Sequence, residues 1–233
     1  MLIAPASDSS LFIALGDEIS LAAHRRVIAL FHAIQQLQDA RIRNLHPAYA
    51  SLLIDFDPFC LTHEELKSIV APLLSSPLPP LREPAAALEI PVCYDSDFAP
   101  DLTSVAHHTS LTVEQVIALH SGGDYFVYFL GFSPGFAYLG GLPRQLQVPR
   151  LASPRKHVSA GTVGLAGAQT GIYPHNSPGG WQLIGRTPLR MFVPSADPPS
   201  RLQPGDRVRF RRVTRDEFDR LASPQESLDD SRP

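Results

Sequence analysis

The sequence predicts two domains of different class, an α+β unit followed by a mainly β unit. Three observations carry this. Of the 15 glycines, all but Gly16 fall between Gly122 and Gly205. Acidic residues do the reverse: none occurs from Tyr125 to Ala196, a stretch that holds Arg144, Arg150, Arg155, Lys156, Arg186 and Arg190. The hydrophobic pattern also changes along the chain. Helix-spaced and alternating segments give way to short apolar runs cut by Gly and Pro.

The elements follow in order. Residues 11–15 (LFIAL) read as a strand, and Gly16-Asp17 as the turn after it. Apolar residues at Ile19, Ala23, Val27, Leu30, Ile34 and Leu37 predict an amphipathic helix over 18–38. Residues 40–45 and 49–56 read as two strands joined near His46-Pro47. Thr62-x-x-Glu65 is a capping-box pattern that opens a helix running to Leu73 or Leu74. Residues 76–84, with Pro77, Pro79, Pro80 and Pro84, read as a linker, and 87–94 (ALEIPVCY) as a further strand. The order β-α-β-β-α-β is the split βαβ of a ferredoxin-like domain. That domain is placed at residues 1–84 with the linker at its end; the last strand suits either domain.

Two short helices come next. Pro100 suits the first turn of one, and Thr112-x-x-Gln115 caps the other, which ends near His120-Ser121-Gly122-Gly123. A connecting αα-hairpin explains the pair better than a DNA-binding helix-turn-helix, because neither helix carries the Arg and Lys that phosphate contacts need. From Asp124 the runs 125–130, 162–166, 181–184, 189–193 and 207–211 alternate with Gly/Pro turns. This is the signature of a barrel or sandwich, placed at residues 85–212. Residues 213–233 read as a polar, disordered tail that opens with at most one helical turn.

Composition excludes several classes. The chain has 233 residues, 44% of them apolar, with a net charge of −3. No apolar run approaches the ~18 residues of a membrane span. No basic n-region marks a signal peptide at MLIAPASDSS, so a cytoplasmic protein is expected. The negative charge argues against nucleic-acid binding. Cys60 and Cys93 stand far apart and are expected as reduced thiols. The nine histidines form neither HExxH nor a Cys/His cluster, so no metal site is expected.

The chemical motifs sort by physical argument. Gly131-Phe132-Ser133-Pro134-Gly135 fits G-x-S-x-G. A nucleophile elbow needs the backbone N–H after its serine, and Pro134 has none. The segment reads instead as a rigid turn that brings Phe132 and Phe136 into a pocket wall. Gly161-x-x-Gly164-x-x-Gly167 is not a dinucleotide fingerprint, and no P-loop occurs. His120 ends a helix, where the helix dipole favours it. The polar loop Gln169–Trp181 and the segment Pro154–His157 suit a small-molecule site on a β scaffold. Arg155 and Arg186 have no acid nearby in sequence. They either bind an anionic ligand through paired hydrogen bonds, or pair with acids from the other domain or cover surface. The residue pattern names no catalytic residue. A catalytic carboxylate would have to come from before Tyr125, from beyond Ala196 or from a partner.

Three long motifs carry a resemblance: LHSGGDYFVYFLGFSPGFAYLGGLP, then PRLASPRKHVSAGTVGLAGAQTGIYPHNSPGGWQLIGRTPLRMF, then LQPGDRVRF. The chain resembles the family of bacterial 5-oxoprolinase B subunits over roughly residues 10–212. That family includes an inhibitor of a sporulation histidine kinase and is related to the allophanate hydrolase subunit 1 domain. Ala137 and Ser159 stand where the family usually has Pro. The resemblance implies a ferredoxin-like domain followed by a cyclophilin-like β-barrel. It implies a protein that acts with subunits A and C of the enzyme to cleave 5-oxo-L-proline to L-glutamate, with ATP as co-substrate. The expected substrate-binding set is Arg155, Gln169, Thr170, Tyr173, Arg186, Phe132, His120 and Trp181. Inhibition of a sensor histidine kinase and a part in urea or allophanate chemistry are the alternative roles.

Overall fold

The computed structural model describes residues 1–18, 20–75 and 86–226, without the side chains of 224–226. The chain divides into two compact units, Met1–Glu83 and Pro84–Pro233. The expected linker at 76–84 and the end of the expected tail at 227–233 lie outside the described residues.

The first unit comprises β1 (Leu2–Ser7), β2 (Ser10–Ala14), α1 (Leu21–Gln36), β3 (Ile42–Pro47), β4 (Ser51–Phe56) and α2 (His63–Ser75). Its sheet has the order β1-β2-β4-β3, with every pair antiparallel. The helix α1 starts where the Ser20 side chain accepts from the Ala23 N–H at 3.1 Å. The Thr62/Glu65 capping box forms as the sequence predicts: Thr62 N–H donates to the Glu65 carboxylate at 2.8 Å, and Glu65 N–H to the Thr62 hydroxyl at 3.3 Å. Leu11, Ile13, Leu52 and Ile54 on the strands pack against Val27, Leu30, Ile34, Leu66 and Val70 on the helices.

The strand order differs from the expected β-α-β-β-α-β. The segment β2-α1-β3 with β4 between its strands is a split βαβ, but the fourth strand is the N-terminal β1. The sequence pattern does not reveal β1, because it is a largely exposed edge strand that contains Pro5 and lacks the buried alternation that marks a strand. The strand expected at 87–94 belongs to the second unit.

That unit begins with β5 (Leu88–Val92), α3 (Leu102–Thr109) and α4 (Val113–Ser121). The strands β6 (Tyr125–Leu130), β7 (Ala137–Gly140), β8 (Arg155–Val158), β9 (Thr162–Ala166), β10 (Gln169–Ile172), β11 (Ser177–Gly179), β12 (Gln182–Arg186) and β13 (Arg207–Arg212) follow, then α5 (Arg215–Glu226). Seven strands form one sheet in the order β12-β9-β10-β7-β6-β13-β5, and β8 pairs with β11 separately. The pair β13/β5 is parallel and the other pairs of the sheet are antiparallel.

The two sheet edges meet. Cys93 N–H donates to Arg186 O at 2.8 Å, and Arg186 N–H to Cys93 O at 2.9 Å, so the sheet is nearly closed as a barrel. Gly185 permits the approach, since a Cβ there would meet Val92 at 2.7 Å and the Cys93 carbonyl oxygen at 3.0 Å. Ile90, Val92, Val127, Leu139, Val163, Leu165, Ile172 and Val208 fill the interior. The helices α3 and α4 form the expected hairpin, and Ser110 turns between them at φ 57°.

Two further expectations are corrected. Residues 189–193 do not form a strand; Pro188 and Pro194 flank them, and proline interrupts a ladder. Residues 215–226 form α5 instead of an unstructured tail. One apolar residue docks that helix: Phe218 is buried with Val213 and Cys93, and its ring centroid lies 4.6 Å from that of Phe98. A polar composition hides a helix with one buried apolar side chain; Arg215 over the Phe98 ring and the Arg211–Glu217 ion pair also tie the helix down. Among the described residues, no helix is long and apolar enough to cross a membrane. Cys60 and Cys93 are free thiols.

Asp101 locks α3 onto the closing edge. It is a buried acid whose carboxylate accepts from Leu183 N–H at 2.6 Å and from Arg155 Nη2 at 2.6 Å, while its own N–H donates to Leu183 O at 3.0 Å. Asp101→Ala leaves a backbone N–H and a guanidinium without their acceptor. We expect a loss of about 2–4 kcal/mol in urea unfolding, against less than about 0.5 kcal/mol for an exposed control such as Ser104→Ala.

Candidate functional site

Six of the eight expected site residues separate into three places in the second unit; Arg155 and Gln169, also in that unit, lie at none of them. His120 and Thr170 lie in the barrel core. His120 is fully buried, and its Nδ1 is 2.7 Å from the Tyr94 hydroxyl. Its Nε2 is 3.1 Å from Thr170 Oγ1, which itself donates to Gly164 O at 3.0 Å. Because the Thr170 proton is used on Gly164, Nε2 carries the imidazole proton and Nδ1 accepts from Tyr94. The ring stacks on Phe210 with centroids 4.4 Å apart. Burial lowers the His120 pKa to about 3, so the ring is neutral. This network organises the core and lines neither of the cavities described next.

The second place is an aromatic cavity of about 360 Å³. Phe132, Phe136, Tyr138, Tyr173 and Trp181 line it, with Arg150 on its wall. Phe136 is the hub: its ring meets those of Tyr173 at 5.3 Å and 81°, Trp181 at 5.5 Å and 86°, and Phe132 at 5.5 Å and 75°. These edge-to-face contacts fix the rings. Burial pushes the Tyr138 and Tyr173 hydroxyls up, and the nearby Arg150 charge pulls both the other way. Arg150 is exposed and makes no ion pair among the described residues.

The Gly131–Gly135 turn shapes this cavity. Gly131 N–H donates to Phe136 O at 3.1 Å, Phe136 N–H to Ser133 O at 3.0 Å, and Ser133 N–H to Gly131 O at 2.8 Å. The turn holds Phe132 at φ 69°, a conformation that costs a non-glycine residue about 1–2 kcal/mol. It also leaves the Phe132 side chain 64% exposed at the cavity. Ser133 Oγ is buried with no hydrogen-bond partner, so no base activates it.

A second cavity, of about 800 Å³, takes Pro134 from the same turn together with Arg186, Arg190, His175 and, from α5, Arg215. Phe98, Phe192 and Phe218 supply apolar wall. Arg186 Nε donates to Ala160 O at 2.8 Å.

Arg155 and Gln169 line neither cavity. Arg155 meets Asp101, an acid from elsewhere in the same unit, and its Nη1 is buried without a partner. Gln169 opens β10, and its Nε2 is buried without a partner. Arg150, Tyr138 and Arg215 line the cavities without belonging to the expected set. Arg150 carries a sequence signal, since it stands in the acid-free stretch; Arg215 carries none, because its segment reads as a tail. Among the described residues, no group of His, Cys, Asp and Glu is placed to hold a metal.

Known proteins share this architecture. Residues 1–202 match the family model "Carboxyltransferase domain, subdomain C and D". The B subunit of 5-oxoprolinase from Bacillus subtilis (strain 168) is 38% identical over 221 residues, covering 91% of this chain and 92% of that protein. The fold is therefore that of a carboxyltransferase C/D module. At this identity over nearly the full length, the chain belongs to the family of 5-oxoprolinase B subunits. A conserved uncharacterized protein from Pyrococcus horikoshii superposes with a TM-score of 0.57 at 45% identity, over 93% of this chain and 100% of that one. The K. lactis urea amidolyase superposes with a TM-score of 0.74 at 22% identity, over 95% of this chain and 15% of that one, and so shares the fold.

The core network generates a pH dependence. An unfolded histidine binds its proton near the usual pKa of 6.5, whereas His120 in the fold does so only near pH 3. Below about pH 6.5 the unfolded chain holds more protons, so stability falls as pH falls. Between pH 7 and pH 5 this one group should remove about 2 kcal/mol of unfolding free energy. Urea titrations at both pH values should show that loss reduced in His120→Gln.

Proposed function

We propose that this chain is the B subunit of an ATP-dependent 5-oxoprolinase and works in the cytoplasm with subunits A and C. In this reading residues 1–84 are a variant ferredoxin-like domain and 85–212 a cyclophilin-like barrel. The substrate, 5-oxoproline, is a small lactam ring that bears one carboxylate. The observation that carries the reading is the aromatic cavity, with the single cation Arg150 free of any ion pair among the described residues. Tyr173, Trp181, Phe132 and Phe136 would enclose the ring, and Arg150 would hold its carboxylate.

Opening a stable lactam needs activation. Phosphoryl transfer from ATP to the lactam oxygen would make the ring carbon electrophilic; water adds there, the ring C–N bond breaks with the nitrogen leaving as the amine, and a second water hydrolyses the remaining acyl phosphate to the carboxylate and phosphate. None of the residues lining the aromatic cavity is an acid or a histidine. A general base would therefore come from outside this lining, from before Tyr125 or beyond Ala196 in the chain or from a partner protein, and Ser133 would take no part.

The test is reconstitution. The purified chain mixed with its subunits A and C, 5-oxoproline and ATP should yield glutamate and ADP; no product from a well-folded complex sinks the reading. In that complex Arg150→Gln should raise KM for 5-oxoproline at least about tenfold, the scale of one lost charge-assisted contact. Ser133→Ala should keep kcat within about twofold, since a non-catalytic hydroxyl contributes nothing to the barrier.

A further inference from the structure

The larger cavity collects more positive charge than negative. Arg186 is half-buried and makes no ion pair among the described residues. Its guanidinium lies 5.5 Å from the centroid of the Phe98 ring, and that of Arg215 lies 4.4 Å from the same centroid. Burial and the Arg215 charge both push the Arg186 pKa down, so the two cations oppose one another. Arg215 is already paired: its Nε donates to both carboxylate oxygens of Asp219 at 3.3 Å, and its Nη1 lies 3.7 Å from Asp97. Among the described residues, Asp219 is the one acid on the cavity wall and Arg215 already engages it, which leaves Arg186 without a counter-ion there. Half-burying Arg186 beside a second cation with no counter-ion of its own is costly, and an anion seated between the two guanidinia offsets that cost.

The charge and size select the anion. A carboxylate carries one charge, whereas a phosphate group carries about −1.5 to −2 and offers three acceptor oxygens to two guanidinia. The volume of about 800 Å³ exceeds what a bare ion fills and suits a ligand of nucleotide size. We propose that Arg186 and Arg215 bind the phosphate group of a phosphate-bearing ligand in this cavity. As the phosphate contact of the ATP-driven reaction, the site rests on the proposed function; as an anion site, it rests on the cavity alone.

The experiment is isothermal titration of the full chain at low salt with sodium pyrophosphate, and in a parallel arm with ATP. Pyrophosphate should bind saturably, and Arg186→Gln and Arg215→Gln should each weaken it at least about tenfold, the scale of one lost charge-assisted contact. Arg150→Gln should leave it unchanged. Tighter binding of ATP assigns a nucleotide as the source of the phosphate; equal binding assigns free phosphate chemistry. The Arg186 backbone closes the barrel, but its side chain does not, so the variant should fold. Arg215→Gln, on an exposed helix position, provides the reading if it does not. Binding undiminished in both variants, or no saturable binding of either probe at millimolar concentration, overturns the site. A chain that binds 5-oxoproline but neither phosphate probe overturns this site and leaves the aromatic-cavity reading intact; the converse overturns that reading alone.

Discussion

The second unit depends on the two backbone hydrogen bonds between Cys93 and Arg186. They join β5 to β12, the outer strands of a seven-stranded sheet, and convert two free edges into one barrel wall. Closure removes the exposed ladder that a sheet edge otherwise presents. The pair forms because Gly185 carries no side chain where β5 approaches. Asp101 secures it from a second direction, joining the start of α3 to Leu183 on the same strand.

This constraint decides where the basic residues of the acid-free stretch go. Asp101 lies before that stretch and takes Arg155 as a partner. Arg186 serves the closure with its backbone, and its side chain turns to the larger cavity with Arg215. Arg150 stays at the aromatic cavity without an ion pair among the described residues. Of these three arginines one is structural and two stand at separate cavities, according to which acid the fold brings within reach.

The Gly131–Gly135 turn lies between these outcomes. It gives Phe132 to one cavity and Pro134 to the other. The strained backbone at Phe132 is held by hydrogen bonds within the turn, so the ring is presented without help from other elements. The buried His120 network, by contrast, is polar chemistry devoted to order inside the core. Its histidine is neutral and enclosed, which suits positioning of β10 against α4 and not proton transfer to a ligand.

Local patterns make much of this legible. Helical spacing marks α1, Thr62/Glu65 and Thr112/Gln115 mark two helix starts, and the Gly/Pro-cut apolar runs mark the barrel class. The aromatic wall can be anticipated because Pro134 makes the turn rigid whatever surrounds it. The edge strand β1 and the helix α5 are not legible, since β1 is largely exposed and contains Pro5, and α5 carries one buried ring, Phe218, in a polar segment. The roles of the arginines are also undetermined by sequence: spacing along the chain says nothing about Asp101, 54 residues before Arg155. The sequence by itself determined most of the elements, the class of each unit and the shortage of acids in the barrel. Tertiary structure alone decided which cation is neutralised and which faces a cavity, because charge pairing depends on distance in space.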